Sequence, residues 1–230
     1  MIFDVLTIFP ELFEGLLTRG VIGRARQKGI IKLGIWDLRE FAEGRHKHVD
    51  DRPYGGGPGM VMKPEPFYRG VRRIKAGRGG GRVILLSSRG RLLDQNELEE
   101  LTGEENVILL AGRYEGVDER VADLCDDRLS IGDFVLSGGE IPAAALVDGV
   151  TRLLDGVLGN EQSSESDSFS RGDRLGPPQY TRPRQFEGKE VPDVLLSGDH
   201  QKVAEYRREA ARKDTAELRP DLLDREEEGE

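Results

Sequence analysis

Glu115 stands in the run Gly112-Arg113-Tyr114-Glu115-Gly116, directly after the apolar residues Val107 to Ala111. A buried strand needs only a tight turn at its end, and Gly112 alone would provide one. A second glycine, an aromatic ring and a carboxylate in the same turn add groups suited to a ligand. Beside Tyr114, Glu115 could act as a general base or accept a hydrogen bond from an amine or amide. Taken singly, it reads better as a solvated loop carboxylate. Ser137-Gly138-Gly139 leads into a helical pattern with Pro142 in its first turn. Free amides at a helix start hold anions or carboxylates, and the alternative is a glycine turn chosen for its backbone alone.

Three further features carry less by themselves. The glycine-rich stretch Arg52 to Met60 exposes amides as a phosphate cradle would. It lacks the Lys-Ser/Thr of a P-loop and no strand immediately precedes it, so a flexible turn accounts for it better. Arg152 lies within an otherwise apolar helical pattern, where it either snorkels or points into a polar site. Asp167 falls in a Ser-, Asp- and Glu-rich stretch and reads in isolation as a solvated linker residue. No G-x-G-x-x-G follows any expected strand, which disfavours an ordinary dinucleotide fold and the common Rossmann-like methyltransferases.

The bulk properties bound the possibilities. With 230 residues, 37% hydrophobic and 33% charged, the chain suits one good core or a main domain with a small appendage. No apolar run approaches a membrane span. The N-terminal residues read as a first strand and not as a signal peptide. Cys125 is the single cysteine, which excludes an intrachain disulfide and fits a reducing, cytoplasmic setting. His46, His48 and His200 do not form a zinc pattern with it, and no metal ligands are assigned. A net charge of −9 argues against a non-specific nucleic-acid coat but leaves room for a local basic face.

These residues need elements to position them. Strands are expected at Ile2–Ile8, Ile31–Leu38, Arg82–Ser88, Asn106–Gly112 and Arg128–Leu136. A helix is expected where Phe9, Leu12, Phe13, Leu16 and Leu17 share one face. Another follows the capping box formed by Asp94 and Glu97, a short one spans Val117–Cys125, and a long one runs from Ile141 to Gly159. The residues between Leu38 and Arg82 read as a long polar loop. Strands alternating with helices give an α/β fold with a mostly parallel sheet, whose ligands bind at the carboxyl ends of the strands. The glycine segments at Ser87–Gly90, Ala111–Gly116 and Leu136–Glu140 all fall at such ends. Beyond Gly159 a linker leads to a C-terminal helix bearing Lys202, Arg207, Arg208, Arg212 and Lys213 around Tyr206, a surface able to track phosphates. Glu205 and Glu209 are interleaved, so a salt-bridged solvent face is an alternative.

Six segments occur in order: DDRPYGGGPGMVM, LLAGRYEGVDERV, IGDFVLSGGEIPA, GVLGNEQSSESDSF, QYTRP and VPDVLLSGDH. Across nearly its whole length the chain resembles the bacterial tRNA (guanine-N1)-methyltransferases. The resemblance implies a SPOUT-class α/β domain with a deep trefoil knot over residues 1–160, a flexible linker over 161–174 and a small helical tRNA-binding domain over 175–230. It implies a homodimer whose active site uses both subunits, S-adenosylmethionine bound in the knot, magnesium dependence, and methylation of tRNA at N1 of the guanosine at position 37. Carried over residue by residue, cofactor positions fall on Leu86, Ser87, Gly112, Tyr114, Glu115, Ile131, Gly132, Asp133, Phe134, Val135, Leu136, Gly138, Gly139 and Pro142. Glu115 also matches the carboxylate expected to contact the target guanine, while Arg152 and Asp167 match the catalytic pair, Asp167 coming from the other subunit. The chain departs from the family's usual residues at Leu85, Ser88, Arg89, Phe134 and Tyr206. Two other readings are a knotted methyltransferase acting on a ribose hydroxyl, which would leave Asp167 without a task, and a non-catalytic RNA- or nucleotide-binding protein.

Overall fold

The computed structural model describes residues 1–159, 167–170 and 174–223. The chain divides into two compact units, Met1–Gly159 and Asn160–Glu230. In the first, strands β1 (Ile2–Thr7), β2 (Lys32–Asp37), β5 (Arg82–Leu92), β6 (Asn106–Ala111) and β7 (Asp127–Ser130) form one sheet in the order β2-β1-β6-β5-β7. Every pairing in it is parallel. A separate two-stranded ribbon joins β3 (Asp50–Asp51) to β4 (Val61–Met62).

The central strands are mostly apolar because both faces are covered, and the buried Asp4 of β1 is paired with Trp36 and Arg78. Their side chains alternate between two cores: Phe3, Val5, Ile84, Leu86, Val107 and Leu109 enter one, and Leu6, Val83, Leu85, Ile108 and Leu110 the other. Helix α1 (Phe13–Leu16), α2 (Gly20–Gln27), α4 (Gln95–Leu101) and α5 (Glu140–Leu153) cover the first face through Phe13, Ile22, Ala25, Leu101, Leu146, Val147 and Val150. Helix α3 (Pro64–Arg78) covers the second through Phe67, Val71 and Ile74.

Several expectations are corrected. The stretch between Leu38 and Arg82 is not one polar loop, since α3 occupies fifteen of its residues. Its signals were Pro64 in the first turn, apolar residues at i, i+4 and i+7, and Gly79 as a left-handed cap at φ +83°, whose N–H donates to Lys75 O. The strand expected over Arg128–Leu136 ends at Ser130: Ile131–Leu136 leave the sheet, and Phe134, Val135 and Leu136 are 54%, 86% and 41% exposed. The long helix stops at Leu153, where Leu154 turns extended. The apolar stripe after Pro10 is only half used, with Phe13 and Leu17 buried but Leu12 and Leu16 exposed. Asp94 caps α4 by accepting from Glu97 N at 3.0 Å. The buried Glu97 carboxylate turns to Arg82 and Arg91, which also bind Asp127 at 2.7 and 2.9 Å.

The second unit contains a hairpin of β8 (Gln185–Phe186) and β9 (Lys189–Glu190) and helix α6 (His200–Leu218). Asp199 caps α6, accepting from Gln201 N and Lys202 N. Thr215 Oγ1 accepts from Leu175 N at 3.1 Å, tying the start of the described segment 174–223 to this helix. No helix among the described residues is long and apolar enough to cross a membrane.

Candidate active site

Three loops meet at the carboxyl edge of the sheet. The first interrupts β5. Leu86 pairs with Leu129, the chain loops out through Ser87–Gly90, and Arg91 then pairs with the same Leu129. A side chain on Gly90 would come within 2.6 Å of the Arg128 and Leu129 backbone, so only glycine permits this close return. The exit is pinned by the ion pairs of Arg91 to Glu97 and Asp127.

The second loop, Gly112–Gly116, leaves the end of β6. Tyr114 adopts φ +61° and is half exposed, and Gly116 N donates to Arg113 O at 3.1 Å. This turn is held from outside by the glycine-rich stretch. Glu115 N donates to Met60 O, Met62 N to Gly116 O and Asp118 N to Met62 O, at 2.9–3.0 Å. A Cβ on Gly59 would overlap the Glu115 carboxylate. The Arg52–Met60 stretch therefore braces the Glu115 loop and does not itself line the cleft.

The third loop runs from Ile131 to Gly139. Ser130 Oγ donates to Gly132 O and accepts from Gly132 N, which sharpens the exit from β7. Gly139 N donates to Gly112 O at 2.8 Å, and Arg113 and Gly138 form an isolated antiparallel bridge. Helix α5 starts immediately afterwards.

These loops enclose a cavity of about 270 Å³, at the small end of the roughly 300–1,000 Å³ range of ligand clefts. Leu86, Ser87, Gly112, Tyr114, Glu115, Ile131, Gly132, Phe134, Val135, Leu136, Gly138, Gly139 and Pro142 all line it. Asp133 is exposed and is not among the lining residues. Arg152 sits half-buried in the last turn of α5. Asp167 belongs to the other unit, where its carbonyl accepts from Ser170 N and Oγ in a tight turn. Of the remaining linker, 161–166 and 171–173 lie outside the described residues.

The cleft also contains residues that the sequence reading passed over. Arg113, Arg89, Arg128 and Glu119 line it. Arg128, and after it Arg89, holds the Glu119 carboxyl below the usual carboxylate range. The signal for Arg113 was present in its own run, between Gly112 and Tyr114, but nothing local pointed to its partner. Among the described residues no group of three or more His, Cys, Asp or Glu side chains could hold a metal ion. The lining suits an organic ligand, with apolar walls from Leu85, Leu86, Ile131, Phe134 and Leu136 for a flat ring, while the glycines let the loops pack closely on one another.

A parallel sheet with glycine loops joined around one cleft at its carboxyl edge defines an α/β protein with a ligand site at the strand ends. The family model described as tRNA (Guanine-1)-methyltransferase TrmD matches residues 1–225, and the chain belongs to this family. It is 52% identical over 224 residues to the tRNA (guanine-N(1)-)-methyltransferase of Geotalea uraniireducens, covering 97% of this chain and 90% of that one. It is 51% identical over 226 residues to that of Geobacter metallireducens, covering 98% and 92%. With that of Geobacillus kaustophilus it shares 50% over 222 residues, covering 96% and 91%. S-adenosylmethionine is the methyl donor of a methyltransferase of this family.

Proposed function

We propose that the protein methylates N1 of the guanosine at position 37 of tRNA, with the three-loop cleft holding S-adenosylmethionine. The family match across residues 1–225 carries this reading, and the cleft supports it because its apolar and glycine-rich lining suits an organic ligand. When bound, the cofactor supplies an electrophilic methyl group on its sulfonium. Guanine N1 carries a proton and is a poor nucleophile until that proton leaves. The Asp167 carboxylate accepts it as general base. Deprotonation drives negative charge onto O6, which the Arg152 guanidinium stabilises. Glu115, on the braced second loop, orients the guanine, so the protein contributes mainly position and charge.

The remainder of the proposal concerns assembly. The loops form a trefoil knot, two chains form a homodimer in the cytoplasm, and Asp167 of one chain serves the cleft of the other. Residues 1–160 bind the cofactor, 161–174 link, and 175–230 bind tRNA through the basic, Tyr206-bearing face of α6. Catalysis depends on magnesium. The test is methyl transfer from labelled S-adenosylmethionine to unmodified tRNA carrying guanosine at position 37. Wild type gives labelled 1-methylguanosine, while Asp167→Ala and Arg152→Ala each give none. Mixing the two variants regains activity in the heterodimer, because one cleft then has both intact residues. Label on a ribose, or no complementation, would refute the target atom or the shared site respectively.

A further inference from the structure

Glu140 is the first residue of α5 and only 1% exposed. Its carboxylate accepts from Thr7 Oγ1 at 2.8 Å and from Arg113 Nε at 3.0 Å. Thr7 is the last residue of β1, and its hydroxyl also accepts from Phe9 N at 2.9 Å. Arg113 places its guanidinium carbon 4.5 Å from the centroid of the Phe9 ring, and its backbone N–H donates to Met62 Sδ at 3.0 Å. Three separate chain segments thus meet around one carboxylate: the end of β1 with the turn after it, the second loop and the start of α5.

A buried carboxylate is costly unless it is paired and hydrogen-bonded. Here the compensation comes from the loop that leads to Tyr114 and Glu115. We infer that Arg113 and Glu140 are positioning residues for the methyl-transfer site, a charged latch that sets the second and third loops against each other. The backbone bond from Gly139 N to Gly112 O fixes one point between these loops. Together with the Arg113–Gly138 bridge it joins the two main chains, and the Arg113–Glu140 pair adds a side-chain tie beside that bridge. The pair fills the space beside Gly138, where a Cβ would overlap Glu140 Oε2 and lie 2.5 Å from Arg113 Nε. The inference rests on the reading that this cleft binds S-adenosylmethionine.

The test uses the full chain, with S-adenosylmethionine affinity by calorimetry, affinity for an unmodified tRNA transcript, turnover and thermal unfolding measured for each variant. Glu140→Gln keeps the shape but removes the charge, and Arg113→Met keeps much of the volume but removes both the donor and the charge. Each should weaken cofactor binding tenfold or more and lower turnover on the order of 100-fold, the loss that follows roughly 1 Å of misplacement. Affinity for tRNA should stay within twofold. Arg113→Lys, which restores a cation without the planar fork, should recover part of the loss. Asp4→Asn is the control. Asp4 is fully buried and paired with Arg78 at 3.0 Å lower on the same strand, so this variant should lose stability while binding cofactor normally. Should Glu140→Gln fail to fold, Arg113→Lys and Thr7→Val still decide the question, each expected to weaken cofactor binding severalfold. Unchanged cofactor affinity in the folded variants overturns the latch, as does an equal loss in Asp4→Asn. If wild type itself does not bind S-adenosylmethionine, the cofactor reading falls and takes the latch with it.

Discussion

Gly139→Ala tests the loop junction most directly. Gly139 has φ −81°, an ordinary value for any residue, so alanine brings no backbone strain and the outcome depends on space alone. A Cβ there would lie 2.8 Å from Ala111 Cα, 3.1 Å from Gly112 N and 3.3 Å from Ala111 C. Two of these atoms belong to Ala111, the last residue of the central strand β6, and the third to Gly112 directly after it; β6 pairs with strands on both sides and cannot retreat. The third loop must therefore move outward by about 0.6 Å or more to restore ordinary van der Waals separation. That movement stretches the 2.8 Å bond from Gly139 N to Gly112 O. Overpacking of this kind costs about 1–3 kcal/mol, and the displaced loop should lose cofactor affinity by roughly 10- to 100-fold. Gly112→Ala is the graded comparison: its Cβ meets only Val117 Cγ1, at 2.9 Å, and a side chain can rotate away. Calorimetric titration with S-adenosylmethionine, alongside thermal melts, reads both effects. Equal affinities for Gly139→Ala and wild type would refute the claim that this contact sets the cleft.

Other expectations follow from the packing. Arg82 first, and then Arg91, depresses the Asp127 carboxyl below its ordinary value of 3.8. Its stabilisation is therefore present above that pH and lost as pH falls through the lower folded-state value; urea melts from pH 7 to 3 should show this loss, and Asp127→Asn should lower stability at pH 7 and flatten that part of the profile. Burial pushes the Cys125 thiol up to about 12, so a thiol reagent at neutral pH should label the native protein slowly, at a rate that rises with denaturant as unfolding exposes it. Phe67, on the inward face of α3, is fully buried, and Phe67→Ala should cost about 3–5 kcal/mol in chemical denaturation.

The strands were legible as apolar runs because burial on both faces of a parallel sheet leaves no polar alternation. The start of α4 was legible because Asp94 is a local cap. The same rule misread Ile131–Leu136, where Ile131, Phe134, Val135 and Leu136 line a cleft and meet solvent instead of continuing β7. Helix α3 was not legible although its spacing was present, since its many charged residues masked the apolar stripe of Phe67, Val71 and Ile74.

By itself the sequence determined the parallel α/β architecture, the glycine positions and, through six ordered segments, the family. Those depend on local backbone freedom and on hydrophobic content, which a chain carries in its residue order. Only the tertiary structure decided that the Arg52–Met60 stretch braces Glu115, that Ser87–Gly90 loops out between two pairings to one residue, and that Glu140 joins Arg113 to Thr7. Periodicity reports that a side chain is buried but not what it meets, and Thr7 and Glu140, 133 residues apart, become neighbours only when the sheet brings the end of β1 beside the start of α5.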